Sequence, residues 1–94
     1  MANSVEKQLQ KAKEMKSTVQ EFSKILTAHM QNLQENLEQS VRAGFPEDIA
    51  RKYHVQYFSP DNDTISQLSQ TMNSEHVKFL DEVINDLTEA INHQ

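Results

Sequence analysis

The strongest constraint on the fold is the stretch from residue 3 to residue 43, which has the pattern of one uninterrupted amphipathic helix. Asn3 suits the N-cap, with Glu6 three residues later, and Gly44 followed by Pro46 is a typical helix stop. No glycine or proline interrupts the stretch. Its apolar residues recur every three or four positions: Val5, Leu9, Ala12, Met15, Val19, Phe22, Leu26, Met30, Leu33, Leu37 and Val41.

The length of this helix matters because it exceeds the size of a compact domain. At 1.5 Å per residue the helix is about 60 Å long. A compact monomer of this chain length is only about 32 Å across. We therefore expect that the fold is elongated, that the helix is kinked, or that a second copy of the chain covers the exposed end of its apolar stripe.

The composition favours an all-α protein with a single domain over residues 1–94. The chain has 94 residues, one glycine and two prolines, and its Gln, Glu, Lys and Leu residues recur at helical spacing. We find no convincing strand.

Two further helices are predicted after Gly44. The first is a short helix over 46–58, with Pro46 at its first position and i,i+4 pairs at Glu47–Arg51 and Asp48–Lys52. Pro60 and its neighbours in 59–63 predict a turn, because proline opposes helix continuation. A last helix then covers 63–92, and whether it is broken near Asn73 is left open. Because this helix is several turns shorter than the first, a partner is expected to cover the difference.

The charges predict how the long helices pair. The net charge is −5, yet residues 1–24 hold five lysines, whereas Lys78 is the only lysine or arginine from residue 63 onward, among six Asp and Glu residues. Basic first turns and acidic last turns oppose the helix macrodipole, so another interaction must favour them. An antiparallel arrangement supplies this interaction, because it places the basic start of the first helix beside the acidic end of the last helix. The predicted fold is an elongated antiparallel helical hairpin with a short intervening helix, completing a four-helix-type bundle as a homodimer.

Catalysis, cofactors and metals are not expected. Asp61-Asn62-Asp63 begins like a calcium loop, but Ser66 and Met72 stand where that loop needs glycine and glutamate. Glu89 and His93 form one isolated i,i+4 pair, and the chain has no cysteine. No glycine-rich phosphate loop or nucleophile elbow is present.

A helix-turn-helix over 46–70 is one alternative, with residues 64–68 as the recognition helix. Its connection from Val55 to Thr64 is longer than the usual tight turn. The supposed recognition helix has no Lys or Arg before Lys78, although phosphate contacts supply much of the affinity for DNA. This alternative predicts a DNA-binding regulator.

A helix of forty residues, a central Gly44 and a second long helix also resemble the layout of the WXG100 family of secreted helical hairpins. The Trp-x-Gly turn is missing, because Gly44 is flanked by Ala43 and Phe45. Tyr57 and Asp61 give a Tyr-x-x-x-Asp only in the middle of the chain. The resemblance implies a hairpin fold and export.

The function we predict is that of a small non-enzymatic protein–protein interaction module, such as an adaptor, inhibitor or assembly factor. Its partner is expected to be a second copy or a larger protein, and neither nucleic acid, membrane nor small molecule. No apolar run suggests a signal peptide or a membrane span, so we expect a cytoplasmic protein. The candidate binding residues form a stripe on the first helix and an aromatic elbow: Phe22, Ile25, Leu26, Met30, Leu33, Phe45, Tyr53, Tyr57 and Phe58.

Overall fold

The fold is an all-α antiparallel hairpin of two long helices, as predicted. The computed structural model describes residues 2–93, and their side chains from Ser4 onward. The first helix spans Ala2–Arg42 and the second spans 47–92. The backbone is therefore already helical one residue before the predicted N-cap Asn3, whose side chain lies outside the described part.

The second helix is continuous, so the prediction of two separate helices over 46–58 and 63–92 is wrong. The predicted turn at 59–63 is helical throughout. Two π-helical turns interrupt the α-helical hydrogen bonding without ending the helix. The successive segments are Glu47–Tyr53 (α), His54–Phe58 (π), Ser59–Thr71 (α), Met72–His76 (π) and Val77–Asn92 (α).

The first π turn explains how the helix passes through Pro60. Proline lacks an N–H group, and in an α-helix its ring clashes with the carbonyl four residues earlier. Here the Ser59 N–H group donates to the carbonyl oxygen of His54, five residues back. This wider turn ends immediately before Pro60 and makes room for its ring.

The second π turn lies at the possible break near Asn73. The Val77 N–H group donates to the carbonyl oxygen of Met72, again five residues back. Ser74 Oγ also donates to the carbonyl oxygen of Gln70, at 2.7 Å. Side-chain bonds of this type compete with the regular helical ladder. The local polar residues therefore distort the helix here but do not break it.

Gly44 ends the first helix as the sequence predicts. Its φ angle is +109°, which side chains strongly disfavour. The Phe45 N–H group donates to the carbonyl oxygen of Ser40 at 2.9 Å, and that of Gly44 to Val41 at 3.1 Å. These two bonds form a Schellman motif. Pro46 is the N-cap of the second helix, although the sequence predicts it to be the first helical residue. The predicted ion pair between Glu47 and Arg51 forms at 3.1 Å.

The chain divides into two compact units. The terminal unit comprises Met1–Ser23 and Gln70–Gln94, and the turn unit comprises Lys24–Ser69. In the terminal unit, Lys16 Nζ lies 2.6 Å from Asp81 Oδ1, which confirms the predicted antiparallel pairing of N-terminal lysines with C-terminal carboxylates. Asn73 Nδ2 donates to Ser23 Oγ at 3.0 Å. The prediction of a single domain over 1–94 stays a prediction.

Two sequence-based interpretations change with the continuous second helix. The helix-turn-helix over 46–70 requires a turn, and this stretch is helical from Glu47 onward. The expected length difference is also absent, because 47–92 is no shorter than Ala2–Arg42. The exposed large apolar residues instead lie along the two helices and in the loop between them.

Candidate protein-binding surface

Few side chains are buried in the described part of the chain, and their neighbours in sequence define two different sides of the helix pair within each unit. The buried residues are Ala12, Ser23, Ala50, Phe58, Met72 and Leu80. A polar residue follows each of them in turn: Lys13, Lys24, Arg51, Ser59, Asn73 and Asp81. By contrast, four of these buried residues are preceded by a large apolar residue, namely Phe22, Ile49, Tyr57 and Phe79.

This order places the apolar residues on one side of each unit. Successive residues of a helix lie about 100° apart around its axis. Two antiparallel helices have the same hand but opposite directions. The residue before an inward-facing one therefore lies on the same side of the helix pair in both helices. We call this the apolar side, and the side occupied by the following residues the polar side.

The apolar side of the terminal unit carries an open groove between the two helices. Met15, Phe22 and Phe79 on this side are 58%, 48% and 62% exposed. The groove has a volume of about 560 Å³. Its lining is mostly apolar: Ser4, Lys7, Gln8, Lys11, Ala12, Met15, Phe79, Leu80, Val83 and Leu87.

The edges of this groove carry opposite charges. Lys7 and Lys11 border it on the first helix. On the second helix, Asp86 follows the lining residue Val83 by three positions and is exposed. Within residues 2–93 the Lys11 ammonium pairs with Glu14 of its own helix at 3.2 Å, and no cation lies within 4 Å of the Asp86 carboxylate.

The turn unit has an apolar side of its own. Ile49, Tyr53 and Tyr57 recur at intervals of four, and their side chains are 53%, 40% and 56% exposed. The Tyr53 and Tyr57 rings lie 5.7 Å apart between centroids. On the first helix, Ile25 and Leu33 of the predicted stripe are also exposed.

The remaining predicted binding residues divide between surface and interior. Phe45 is exposed in the loop. Leu26 and Met30 are half-buried. Phe58 is only 4% exposed and stacks on His54, with 5.0 Å between ring centroids. Phe58 therefore belongs to the interior of the turn unit and not to an exposed binding surface.

Met15 and Phe79 are exposed but are not among the residues predicted to bind a partner. Both belong to the apolar repeats, which predict core positions. A signal was present at Phe79-Leu80, because two adjacent apolar residues lie about 100° apart and a single neighbouring helix cannot cover both. In the structure Leu80 takes the inward position and Phe79 the outward one.

The polar side offers little for a metal ion or an apolar ligand. In the turn unit, a cavity of about 340 Å³ is bordered by the charged residues Glu38, Arg42, Glu47 and Arg51. Another of about 250 Å³ includes Thr27, Gln31, Gln34 and Asn62 in its lining. In the described chain, no group of three or more His, Asp and Glu side chains is placed to hold a metal ion.

Neither of the two helices, as far as the structure describes them, combines the length and apolar character needed to cross a lipid bilayer. No protein-family model, curated protein or solved structure matches the chain.

Proposed function

We propose that the protein is a small non-enzymatic protein–protein interaction module that binds through the apolar side of its helices. A second copy of the chain is the partner, and two hairpins stacked by their apolar sides form a four-helix bundle. The observation that carries this proposal is that each unit has large apolar residues on one side and polar residues at the matching positions of the other side. These apolar residues are Phe22 and Phe79 in the terminal unit, and Ile49 and Tyr57 in the turn unit.

The small interior of the hairpin supports this proposal. Helical domains reach stability by packing two layers of helices around a shared core, and one pair of helices is a single layer. Two of the buried apolar side chains are alanines, and no described side chain is less than 2% exposed. Several large apolar side chains remain in contact with water. A second layer on the apolar side would convert that exposed surface into a core.

The aromatic residues of the turn unit support binding of protein. Tyrosine is enriched at the energetically important positions of protein interfaces. The paired Tyr53 and Tyr57 rings offer apolar area together with hydroxyl groups.

The direct test is the absolute mass in solution, by light scattering after size-exclusion chromatography, over a hundredfold range of concentration. A mass near twice 10.9 kDa is expected. Phe22→Glu should shift the protein towards monomer. The matched control Gln20→Glu introduces the same charge at an exposed position on the other side of the same helix and should stay dimeric.

A wild-type protein that stays monomeric at every concentration would refute the homodimer. Equal effects of Phe22→Glu and Gln20→Glu would refute the assignment of binding to the apolar side, since a nonspecific charge effect would then explain both results.

A further inference from the structure

We propose that the groove of the terminal unit is covered by the terminal unit of a second copy, related by a two-fold axis parallel to the helices. Lys11 then lies beside Asp86 of the partner subunit, and the same pair recurs on the opposite edge. This inference rests on the proposed homodimer and specifies the surface, the orientation and the pairing.

The register of the two helices places Lys11 and Asp86 at the same height along the unit. Lys16 contacts Asp81 and Ser23 contacts Asn73 across the helix pair. In an antiparallel pair, moving five residues back from Lys16 corresponds to moving five residues forward from Asp81. This step leads from Lys16 to Lys11 and from Asp81 to Asp86.

The lysine and the carboxylate at matching heights form an ion pair on one side of the terminal unit and not on the other. On the polar side Lys16 and Asp81 pair directly, with 2.6 Å between Nζ and Oδ1. On the apolar side the groove lies between the helices, and no ion pair within 4 Å joins Lys11 to Asp86. Lys11 on one edge, whose ammonium pairs with the exposed Glu14 of its own helix, and the Asp86 carboxylate on the other edge therefore face each other across an apolar centre without pairing.

A symmetric partner can place an opposite charge beside both edges of the groove in only one orientation. When two such layers stack face to face, the two-fold axis runs either along the helices or across them. An axis along the helices places the first helix over the second helix of the partner at the same height, so each lysine edge meets a carboxylate edge. An axis across the helices places first helix over first helix, and Lys11 then lies away from Asp86 of the partner subunit.

The apolar centre favours the same occupant. Met15 and Phe79, which line the groove, and Phe22 on the same side of the unit are all about half exposed or more. A second terminal unit brings the same three side chains to the opposite face. Charged pairs at such edges mainly set orientation and partner choice, whereas the apolar contacts supply most of the affinity.

Charge reversal tests this arrangement. Lys11→Glu and Asp86→Lys are prepared as separate chains, and dimer dissociation constants are measured at low salt by analytical ultracentrifugation. Each homodimer then has two like-charge pairs, and we expect about tenfold weaker dimers or more. The matched controls are Lys13→Glu on the polar side and Glu89→Lys, which is also exposed. They make the same changes in net charge and should leave affinity within about twofold.

Mixing the two reversed chains is the decisive experiment. A mixed dimer of Lys11→Glu with Asp86→Lys restores opposite charges on both edges, so native mass spectrometry should show heterodimers well above the statistical half. The double variant within one chain should regain near-wild-type affinity. Circular dichroism checks that every variant keeps its helical content.

The outcomes separate this inference from the proposed function. Wild-type dimers with statistical mixing of the two variants would overturn the parallel two-fold arrangement and leave the homodimer standing. A monomeric wild-type chain would overturn both. Preferential heterodimers together with rescue in the double variant would support the arrangement.

Discussion

Replacing Phe79 by alanine should weaken dimers strongly while leaving the hairpin folded. The residue is 62% exposed and lines the groove of the terminal unit. A phenylalanine buries about 200 Å² when fully enclosed, so the exposed part is roughly 120 Å². At about 25 cal/mol per Å², covering it contributes roughly 3 kcal/mol per protomer and roughly 6 kcal/mol per symmetric dimer, as an upper bound.

Interfaces rarely enclose every side chain completely, so the loss of binding free energy should be smaller than this upper bound. We expect it to be at least half of the bound. A loss of about 3 kcal/mol raises the dissociation constant about a hundredfold. The free hairpin should lose only about 1 kcal/mol, since most of the ring already contacts water. Sedimentation equilibrium measures the dissociation constant of the dimer. Urea denaturation at protein concentrations below that constant measures the stability of the monomer.

Asn85→Ala is the matched control, because Asn85 is exposed on the same helix and does not line the groove. It should leave the dissociation constant within about twofold. An unchanged constant for Phe79→Ala, beside a measurable wild-type dimer, would show that the terminal groove lies outside the interface. A large loss of helical content would instead show that the ring supports the hairpin itself.

Three predictions concern the hairpin itself. Gly44→Ala should lower the free energy of unfolding by about 1–2 kcal/mol in urea, because Gly44 has a φ of +109°; an unchanged midpoint would contradict this. Ser23→Ala and Asn73→Ala should each cost about 1 kcal/mol by removing the same 3.0 Å hydrogen bond, so a double-mutant cycle should show less than additive losses. Pro60→Ala should raise thermal stability by about 1–2 kcal/mol, since the π turn relieves only part of the roughly 3 kcal/mol cost of proline in a helix; a lower melting temperature would show that the π turn itself is required.

Some features could be predicted from local sequence because local chemistry decides them. The run without glycine or proline up to Arg42 forms the first helix, and Gly44 supplies the positive φ that its Schellman end requires. The opposite charges at the two ends of the chain predict an antiparallel pair, and Lys16 and Asp81 form it.

The course of the second helix could not be predicted, because Pro60 is a strong local signal for a turn. Phe58 before it is buried and Ile65 after it is half-buried, so the helix gains packing on both sides of the proline. A π turn accommodates the ring within the helix and keeps both contacts. Tertiary packing therefore overrides the local preference.

The candidate binding surface also depends partly on local sequence and partly on tertiary structure. The repeats of apolar residues identify Phe22, Tyr57 and Phe79 as members of helical stripes. The sequence alone determines the first helix, its end at Gly44 and this supply of apolar side chains. Only the tertiary structure decides that Ser23, Phe58 and Leu80 point inward while their preceding neighbours point outward. The physical reason is that each helix has one neighbour in the hairpin, which covers a narrower strip than the apolar stripe provides.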